Sequence, residues 1–192
     1  MGQYMAEDGL VNNWHLVHYG SRATGGVALI MAELTADSPT GRITLGCAGI
    51  YNAEQIAAWK TISDFIHAQT KTKIGIQLGH SGRKGATKKL WEGTHAPIDN
   101  PWELISASPI AFTENLAIPK EITLRDMDEL CTQFVQAAKN ADAAGFDMIE
   151  LQAHHGFLLA SFLSPLTNKR SDEFGGTIEN RLKFPLRVFT AM

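Results

Sequence analysis

Short, mainly apolar runs alternate along this chain with segments in which apolar residues recur at helical spacing. The runs occupy residues 27–32, 73–79 and 146–151. Runs of this length are typical of strands that are buried on both faces, as strands are in a parallel sheet. The sequence therefore predicts three strands of a parallel sheet.

Helices are predicted between these runs. Residues Ile56, Trp59, Ile62 and Ile66, for example, recur at intervals of three or four positions, which places them on one face of a helix. Polar residues that cap helices precede such segments. Four helices are expected, beginning at Asn12 or Asn13, at Asn52, at Thr123 and at Thr177. The predicted order is α-β-α-β-α-β-α, interrupted by one long connection, residues 80–122, with little regular structure.

This alternation favours a parallel sheet with crossover helices, either a closed barrel or an open doubly wound sheet. The barrel is favoured because polar residues follow the strands: Glu33 after the first, Gln77 and His80 at the end of the second, and residues 152–155 after the third. Barrel active sites lie at that face, and a whole barrel needs eight strands and about 250 residues. We therefore predict an α/β fold, a partial (β/α)8 TIM barrel.

Composition narrows the range of partners. A formal net charge of −3 over 192 residues provides no basic surface for nucleic acid or for an anionic membrane. No apolar segment has the length of a membrane span and no signal peptide is visible, so a cytoplasmic protein is expected. The two cysteines, Cys47 and Cys131, are too few for a disulfide scaffold and lack metal-ligand spacing.

Four segments carry a resemblance to a known family. They are the opening MGQYMAEDGLVNNWH, GRITLG after the first strand, KIGIQLGHSGRK around the second, and AGFDMIELQAHHGFLLASFLSPLTNKRSDEFGGTIENRLKF around the third. Together they resemble the old yellow enzyme family of FMN-dependent oxidoreductases (NADH:flavin oxidoreductases). The resemblance covers essentially the whole chain and is strongest to the bacterial branch and to the reductase-like part of salicylyl-CoA hydroxylase-type proteins.

The resemblance implies a particular domain organisation. Residues 1–192 correspond to a single incomplete FMN-binding barrel domain, the N-terminal half, from the exit of strand 1 through helix 4. Residues 80–122 correspond to a long loop or cap after a strand. In this family the strands that hold the FMN phosphate lie beyond the position of Met192.

The resemblance also implies which residues contact the flavin. Met1 and Gly2 match the backbone segment beside it, and bacterial members often have a redox-tuning cysteine where Gly2 stands. Leu34 matches a position whose backbone N–H faces the pyrimidine edge of the flavin. Gln77 matches a glutamine whose amide pairs with that edge, for which an amide has both a donor and an acceptor. The alternative for Gln77 is a strand-end side chain bonded to its neighbours.

Three catalytic residues are implied in the same way. Gln152 and His155 match the pair that hydrogen-bonds the substrate carbonyl, and Tyr4 matches an active-site tyrosine near the substrate. Gln152 is a departure, because bacterial members usually have histidine there. Phe157 is a second departure, because many relatives have a proton-donating tyrosine at that position and phenylalanine has no proton to give. The resemblance then leaves three possibilities: Tyr4 donates the proton, a water molecule does, or the substrate needs no such acid. His80, Arg83 and Lys84 are expected to be structural.

The implied function is an FMN-dependent oxidoreductase that passes hydride from NAD(P)H through the flavin to an electron-poor alkene or a related acceptor. The expected partners are a small-molecule substrate and either a second copy of the chain or a missing C-terminal half. Two alternatives remain open, an inactive barrel fragment and a metal-dependent barrel hydrolase. The second has little support, because His80, His95, His154 and His155 show no recognised ligand spacing, and no metal site is predicted.

Overall fold

Five helices and five strands follow one another in the computed structural model, which describes residues 1–192. In chain order they are α1 (Asn13–Thr24), β1 (Leu29–Ala36), α2 (Ala53–Gln69), β2 (Lys73–Gly79), β3 (Ile105–Ser106), β4 (Lys120–Glu121), α3 (Leu124–Ala143), β5 (Met148–Leu151), α4 (Leu158–Leu163) and α5 (Ile178–Ala191). The central sheet is parallel in the order β1-β2-β5, and β3 and β4 form a separate parallel pair. The predicted alternation of strands and helices is therefore confirmed.

The first three helices begin where their capping side chains predict. The side chains of Asn12 and Asn52 each accept a backbone N–H of the first turn of their helices. Thr123 and Asp126 form a reciprocal capping box at the start of α3. These bonds satisfy N–H groups that have no partner inside a helix, so the helix starts are encoded locally.

Two clusters of buried apolar side chains hold the elements together. The larger joins the central sheet to α1, α2 and α3 around Trp59, which is fully buried. The smaller joins α3 to α4 and α5 around Phe134, Phe162 and Phe184. Because α3 contributes to both clusters, it connects the sheet to the C-terminal helices. Removing such apolar surface from water is the dominant favourable term in folding.

The structure corrects two details of the predicted strands. β1 begins at Leu29 and continues to Ala36, so Glu33 lies inside the strand rather than after it. β5 is shorter than predicted and is not buried on both faces, since Met148 and Ile149 are 41% and 38% exposed. β5 is also an edge strand of this sheet, paired with β2 on one side only.

The long connection between β2 and α3 is held to the body of the protein by Arg170. Its guanidinium donates to the backbone oxygens of Ala107 (3.2 Å) and Ile122 (2.8 Å) and pairs with the Asp172 carboxylate. Ala107 directly follows β3 and Ile122 directly follows β4, and both strands lie inside the connection. Gly175 packs directly on the Arg170 backbone, where an added Cβ would lie 2.0 Å from the carbonyl oxygen. The segment around Arg170 therefore ties the long connection to the body of the protein.

Candidate functional site

The residues of the candidate site lie side by side on three neighbouring strands. Leu34 of β1 pairs in register with Gln77 of β2, and Gln77 pairs with Glu150 of β5. A β-bulge at Glu33 shifts the β1 register just before Leu34. These residues are near the carboxyl ends of the strands, which is where the sequence placed the site.

A chain of side-chain amides crosses this end of the sheet. The Gln152 amide N–H donates to the Gln77 side-chain oxygen at 3.0 Å, and the Gln77 amide N–H donates to the Glu150 carboxylate. The Gln152 oxygen accepts the backbone N–H of His154 at 2.8 Å, and only 3% of Gln152 is exposed. Each amide therefore has a fixed orientation, with its donor and acceptor in known places.

Gly79 makes this arrangement sterically feasible, and it was not singled out from the sequence. A Cβ added at Gly79 would lie 2.8 Å from the Gln152 Cβ and 3.1 Å from a Leu34 methyl group. Such distances are shorter than carbon–carbon contact allows. The glycine at the end of a strand was the available signal, because such glycines mark a close approach of another group.

His155 is held through its backbone. It is exposed and adopts a positive φ of 58°, followed by Gly156 with a φ of 73°. The Lys84 ammonium donates to the His155 carbonyl oxygen at 2.8 Å. No hydrogen bond joins His155 to Gln152. The two predicted substrate donors are therefore positioned independently of each other. His154 is also exposed, with its ring 4.0 Å from that of His155.

Lys84 has more contacts with the site than the sequence suggested. Its ammonium lies 4.9 Å from the ring centre of Phe157 and 4.4 Å from that of Phe112. Partial burial, followed by the nearby Arg83 charge, lowers the pKa of Lys84. Cations bind the faces of aromatic rings in this way. Lys84 therefore connects the His155 turn to Phe157, which is buried.

The N-terminal segment positions Tyr4 through contacts that are separate from the amide chain. Met1 is fully exposed, and Gly2 packs on the Tyr4 ring, where an added Cβ would be 3.2 Å from ring carbons. The Tyr4 ring lies edge-on to Trp91 at 6.3 Å. Burial, then the nearby Cys47 and Glu33, raises the pKa of Tyr4 to about 12, so its phenol remains a proton donor at neutral pH.

Other candidate sites are less developed. No group of three or more histidine, cysteine or acidic residues is arranged to hold a metal ion, and the metal-hydrolase alternative is not favoured. A cavity of about 490 Å³ lies at the amino ends of β1 and β2 and includes Gly26, Val27 and Thr70, but none of the predicted site residues. None of the helices is both long and apolar enough to cross a membrane.

The side-chain amides provide the donors and acceptors that the edge of a flavin ring would require. That edge presents alternating acceptors and donors, and a glutamine side chain can match both. Gln77 is oriented by Gln152 and Glu150, so its amide plane is fixed before any ligand contacts it. Leu34 and Gln77 would hold this part of the cofactor.

The fold and the site define a part of a parallel α/β barrel with a polar amide cluster at the carboxyl ends of its strands. The chain belongs to the NADH:flavin oxidoreductase / NADH oxidase family, whose model matches residues 2–192.

Curated relatives and solved structures agree with this assignment. The chain is 42% identical to NADH:flavin oxidoreductase FG08077 of Gibberella zeae, over 97% of this chain and 46% of the relative. It is also 42% identical to an NADPH dehydrogenase of Geobacillus sp., over 97% of this chain and 51% of the relative. Its fold resembles morphinone reductase (TM-score 0.85, 30% identity, 100% of this chain and 52% of that one).

The old yellow enzyme from Pichia sp. AKU4542 is a further structural neighbour, with a TM-score of 0.86 and 30% identity over 100% of this chain and 50% of that one. The chain thus spans about half the length of the relatives and structures it matches. The α/β fold predicted from the sequence and the resemblance to the old yellow enzyme family are confirmed.

Proposed function

We propose that this chain supplies the flavin-ring side of an FMN-dependent oxidoreductase that takes hydride from NAD(P)H and passes it to an electron-poor alkene. The amide chain from Gln152 through Gln77 to Glu150 supports this proposal most directly. Family membership supports the same cofactor, since the matching family is described as NADH:flavin oxidoreductases. A neighbouring structure is morphinone reductase in complex with tetrahydroNAD.

Within this proposal each residue has a defined task. Leu34 and Gln77 bind the pyrimidine edge of the flavin, and Met1 and Gly2 lie against its ring. FMN, when bound, carries the hydride between the two substrates. Gln152 and His155 hydrogen-bond the carbonyl oxygen of the acceptor, which gains negative charge when hydride adds at the β-carbon.

Tyr4 is the proton donor in this scheme. Phe157 cannot donate a proton, whereas the half-buried Tyr4 phenol carries one at neutral pH, where its pKa, raised by burial to about 12, keeps it fully protonated. The small-molecule acceptor is inferred to carry a conjugated carbonyl group, because Gln152 and His155 can both donate to an oxygen atom that gains negative charge during the reaction.

A barrel-completed protein provides the test. Residues 1–192 are joined to the part of the Geobacillus sp. NADPH dehydrogenase that lies beyond its match to this chain. In this protein Gln77→Ala should weaken FMN binding by about 1–3 kcal/mol, because a buried ring edge is left unpaired. Flavin fluorescence measured during titration with FMN gives the dissociation constants.

Gln69→Ala is the matched control, since Gln69 is an exposed glutamine at the end of α2 and its loss should leave FMN affinity unchanged. Equal affinity and an unchanged reduction potential in Gln77→Ala would remove Gln77 from the site. Failure of the unmodified barrel-completed protein to bind FMN at all would contradict the proposed function itself.

A further inference from the structure

Glu33 is a buried carboxylate that the proposed mechanism does not use. Only 2% of the residue is exposed, although it is the extra residue of the bulge in β1, between Ala32 and Leu34. Removing an ionised carboxylate from water is costly unless it is paired and hydrogen-bonded. The groups that surround this carboxylate should therefore show how the cost of burying it next to Leu34 is offset.

Three groups from two other parts of the chain surround this carboxylate. The backbone N–H of Gln3 donates to one oxygen at 2.6 Å. The Tyr19 hydroxyl donates to the other oxygen at 3.2 Å, and the His15 Nε2 atom lies 3.4 Å from that same oxygen. The Asn12 N–H donates to His15 Nδ1 at 3.1 Å, whereas His15 Nε2 approaches Glu33 without forming a hydrogen bond.

The bulge itself is completed by the same group of residues. The extra residue of a bulge does not take its normal place in the strand ladder. Here the Glu33 N–H donates to the Tyr19 hydroxyl oxygen at 3.1 Å, so Tyr19 contacts both the backbone and the carboxylate of Glu33. His15 and Tyr19 are both buried on α1, which fixes the side-chain direction of Glu33.

The Gln3 contact has the greatest consequence for the site. Gln3 lies between Gly2 and Tyr4, and its N–H bond to Glu33 is the shortest contact that links this segment to β1. The other backbone bond near it is from the Ala6 N–H to the Gly46 oxygen at 3.0 Å. Glu33 therefore connects the first four residues to the strand position immediately before Leu34.

We propose that Glu33 is a positioning residue for the flavin site, whose carboxylate accepts the Gln3 N–H and so fixes the backbone of residues 1–4 beside Leu34. This inference rests on the proposed function, which assigns Met1, Gly2 and Leu34 to the flavin. Glu33 also lies close enough to the Tyr4 phenol to contribute, after burial and Cys47, to the raised pKa of that side chain.

Amide hydrogen exchange tests the contact without any cofactor. In the 192-residue chain and in the barrel-completed protein, the Gln3 amide should be protected although it is close to the chain terminus. Glu33→Gln should accelerate its exchange by about tenfold or more, because an amide group cannot replace both carboxylate oxygens as acceptors. The pKa of Tyr4, followed by NMR of ring-labelled tyrosine, should fall in the same variant.

Two further variants separate this role from general destabilisation. Glu7→Gln removes the same charge from an exposed position nearby and should change neither measurement. Tyr19→Phe removes one partner of the carboxylate but leaves the Gln3 bond, so Gln3 protection should persist. If Glu33→Gln does not fold, the exchange rate of the Gln3 amide in the unmodified protein and in Tyr19→Phe tests whether Glu33 holds Gln3. Slow exchange in both proteins supports the contact, and fast exchange in the unmodified protein contradicts it.

An unprotected Gln3 amide in the unmodified protein, or unchanged protection in Glu33→Gln, would overturn the inference. In the barrel-completed protein, Glu33→Gln should also weaken FMN binding by about tenfold or more. Unchanged FMN affinity together with lost Gln3 protection would likewise reject the positioning role. No FMN binding by the unmodified barrel-completed protein, with the Gln3 contact intact, would contradict the proposed function rather than the contact.

Discussion

Gln152 and His155 are positioned by different means. Gln152 is buried and bonded through its side chain to Gln77, whereas His155 is exposed and held through its carbonyl oxygen by Lys84. Gln152 is therefore oriented in advance, and the His155 ring is free to adjust to a ligand. This difference suits two donors that act on one substrate oxygen.

Replacing both Gln152 and His155 by alanine in the barrel-completed protein should slow alkene reduction by on the order of 100-fold, because oxyanion donors act mainly in the transition state. Binding of phenols, seen as a long-wavelength charge-transfer band, should also be lost. The rate at which NAD(P)H reduces the flavin should fall less. Stopped-flow measurement of the two half-reactions checks this.

The control for that variant is His154→Ala, which removes an exposed ring beside His155 and should leave both half-reactions unchanged. Equal losses in both half-reactions of the double variant would point to a collapsed site and not to a substrate role.

Phe157→Tyr should speed the reduction of simple enones by at least about tenfold, if protonation limits the unmodified barrel-completed protein. The new hydroxyl would lie beside the Lys84 ammonium, which is 4.9 Å from the Phe157 ring centre. Phe112→Tyr is the matched control, because Phe112 contacts the same ammonium at 4.4 Å. Steady-state rates that do not change, with the new tyrosine facing the ligand, would mean that proton transfer is not limiting.

Sequence reasoning found residues that belong to dense local motifs, such as Gln77 and Gln152. It did not find the roles of Lys84, Gly79 and Glu33. The signal for these was weak, because each acts through a contact with a residue distant in the chain, such as Lys84 with the carbonyl of His155, 71 positions away. Spacing along a sequence does not specify such contacts.

At the level of the elements, local signals were sufficient for helix starts and insufficient for strand ends. Caps are formed by residues two or three positions apart, as at Asn12 and Thr123. Strand ends depend on the neighbouring strand: β1 extends to Ala36 because Ala36 pairs with Gly79. β5 begins at Met148, where its pairing with Gly75 of β2 begins.

The loop after β1 contains a buried acid that should make stability depend on pH. Asp37 is 3% exposed, and one of its carboxylate oxygens has no hydrogen-bond partner. Burial raises the pKa of Asp37 from 3.8 to about 7, partly offset by the Ser38 hydroxyl. His80 packs on the same glycine, Gly41, and stays neutral because burial lowers its pKa to about 3.

The folded state thus keeps a proton on Asp37 at pH values where the unfolded chain has lost it. Stability should fall as the pH rises from about 4 to about 7 and then level off. Asp37→Asn should remove this dependence and stabilise the fold at about pH 8 by up to a few kcal/mol, with little effect near pH 4. Urea unfolding near pH 4 and at about pH 8 gives the free energy of unfolding of both proteins.

Asp64→Asn is the control for Asp37, because Asp64 is an exposed acid of α2 paired with Lys60. If Asp37→Asn and Asp64→Asn show the same small change at both pH values, Asp37 is ionised in the fold.

For the molecule as a whole, the central sheet has two unpaired edges. Only β2 has a neighbour on each side, while β1 and β5 are each paired once. Apolar side chains remain exposed on β5, including Met148 and Ile149, and on α5, including Leu186 and Phe189. Unpaired strand edges with apolar residues favour association with other chains.

We therefore predict that the 192-residue chain alone does not hold FMN stably and is purified as a colourless, self-associating protein. The residues assigned to the flavin contact only its ring, and a phosphate group requires oriented N–H groups or an arginine. Absorbance near the flavin bands and size-exclusion chromatography measure both properties. A monomer purified with one FMN per chain would contradict this prediction, and the barrel-completed protein is the positive control.

The Arg170 contacts have a further consequence, for how proteins of this kind can diversify. By bonding the oxygens of Ala107 and Ile122, Arg170 anchors the later part of the long connection independently of its tip. The entropy of closing a loop rises slowly with length, by about 0.6 kcal/mol for each doubling. Changes in the length of residues 88–103 should therefore cost little loop-closure entropy. This makes the segment, which includes Trp91 beside Tyr4, a natural place for evolution or engineering to alter substrate preference.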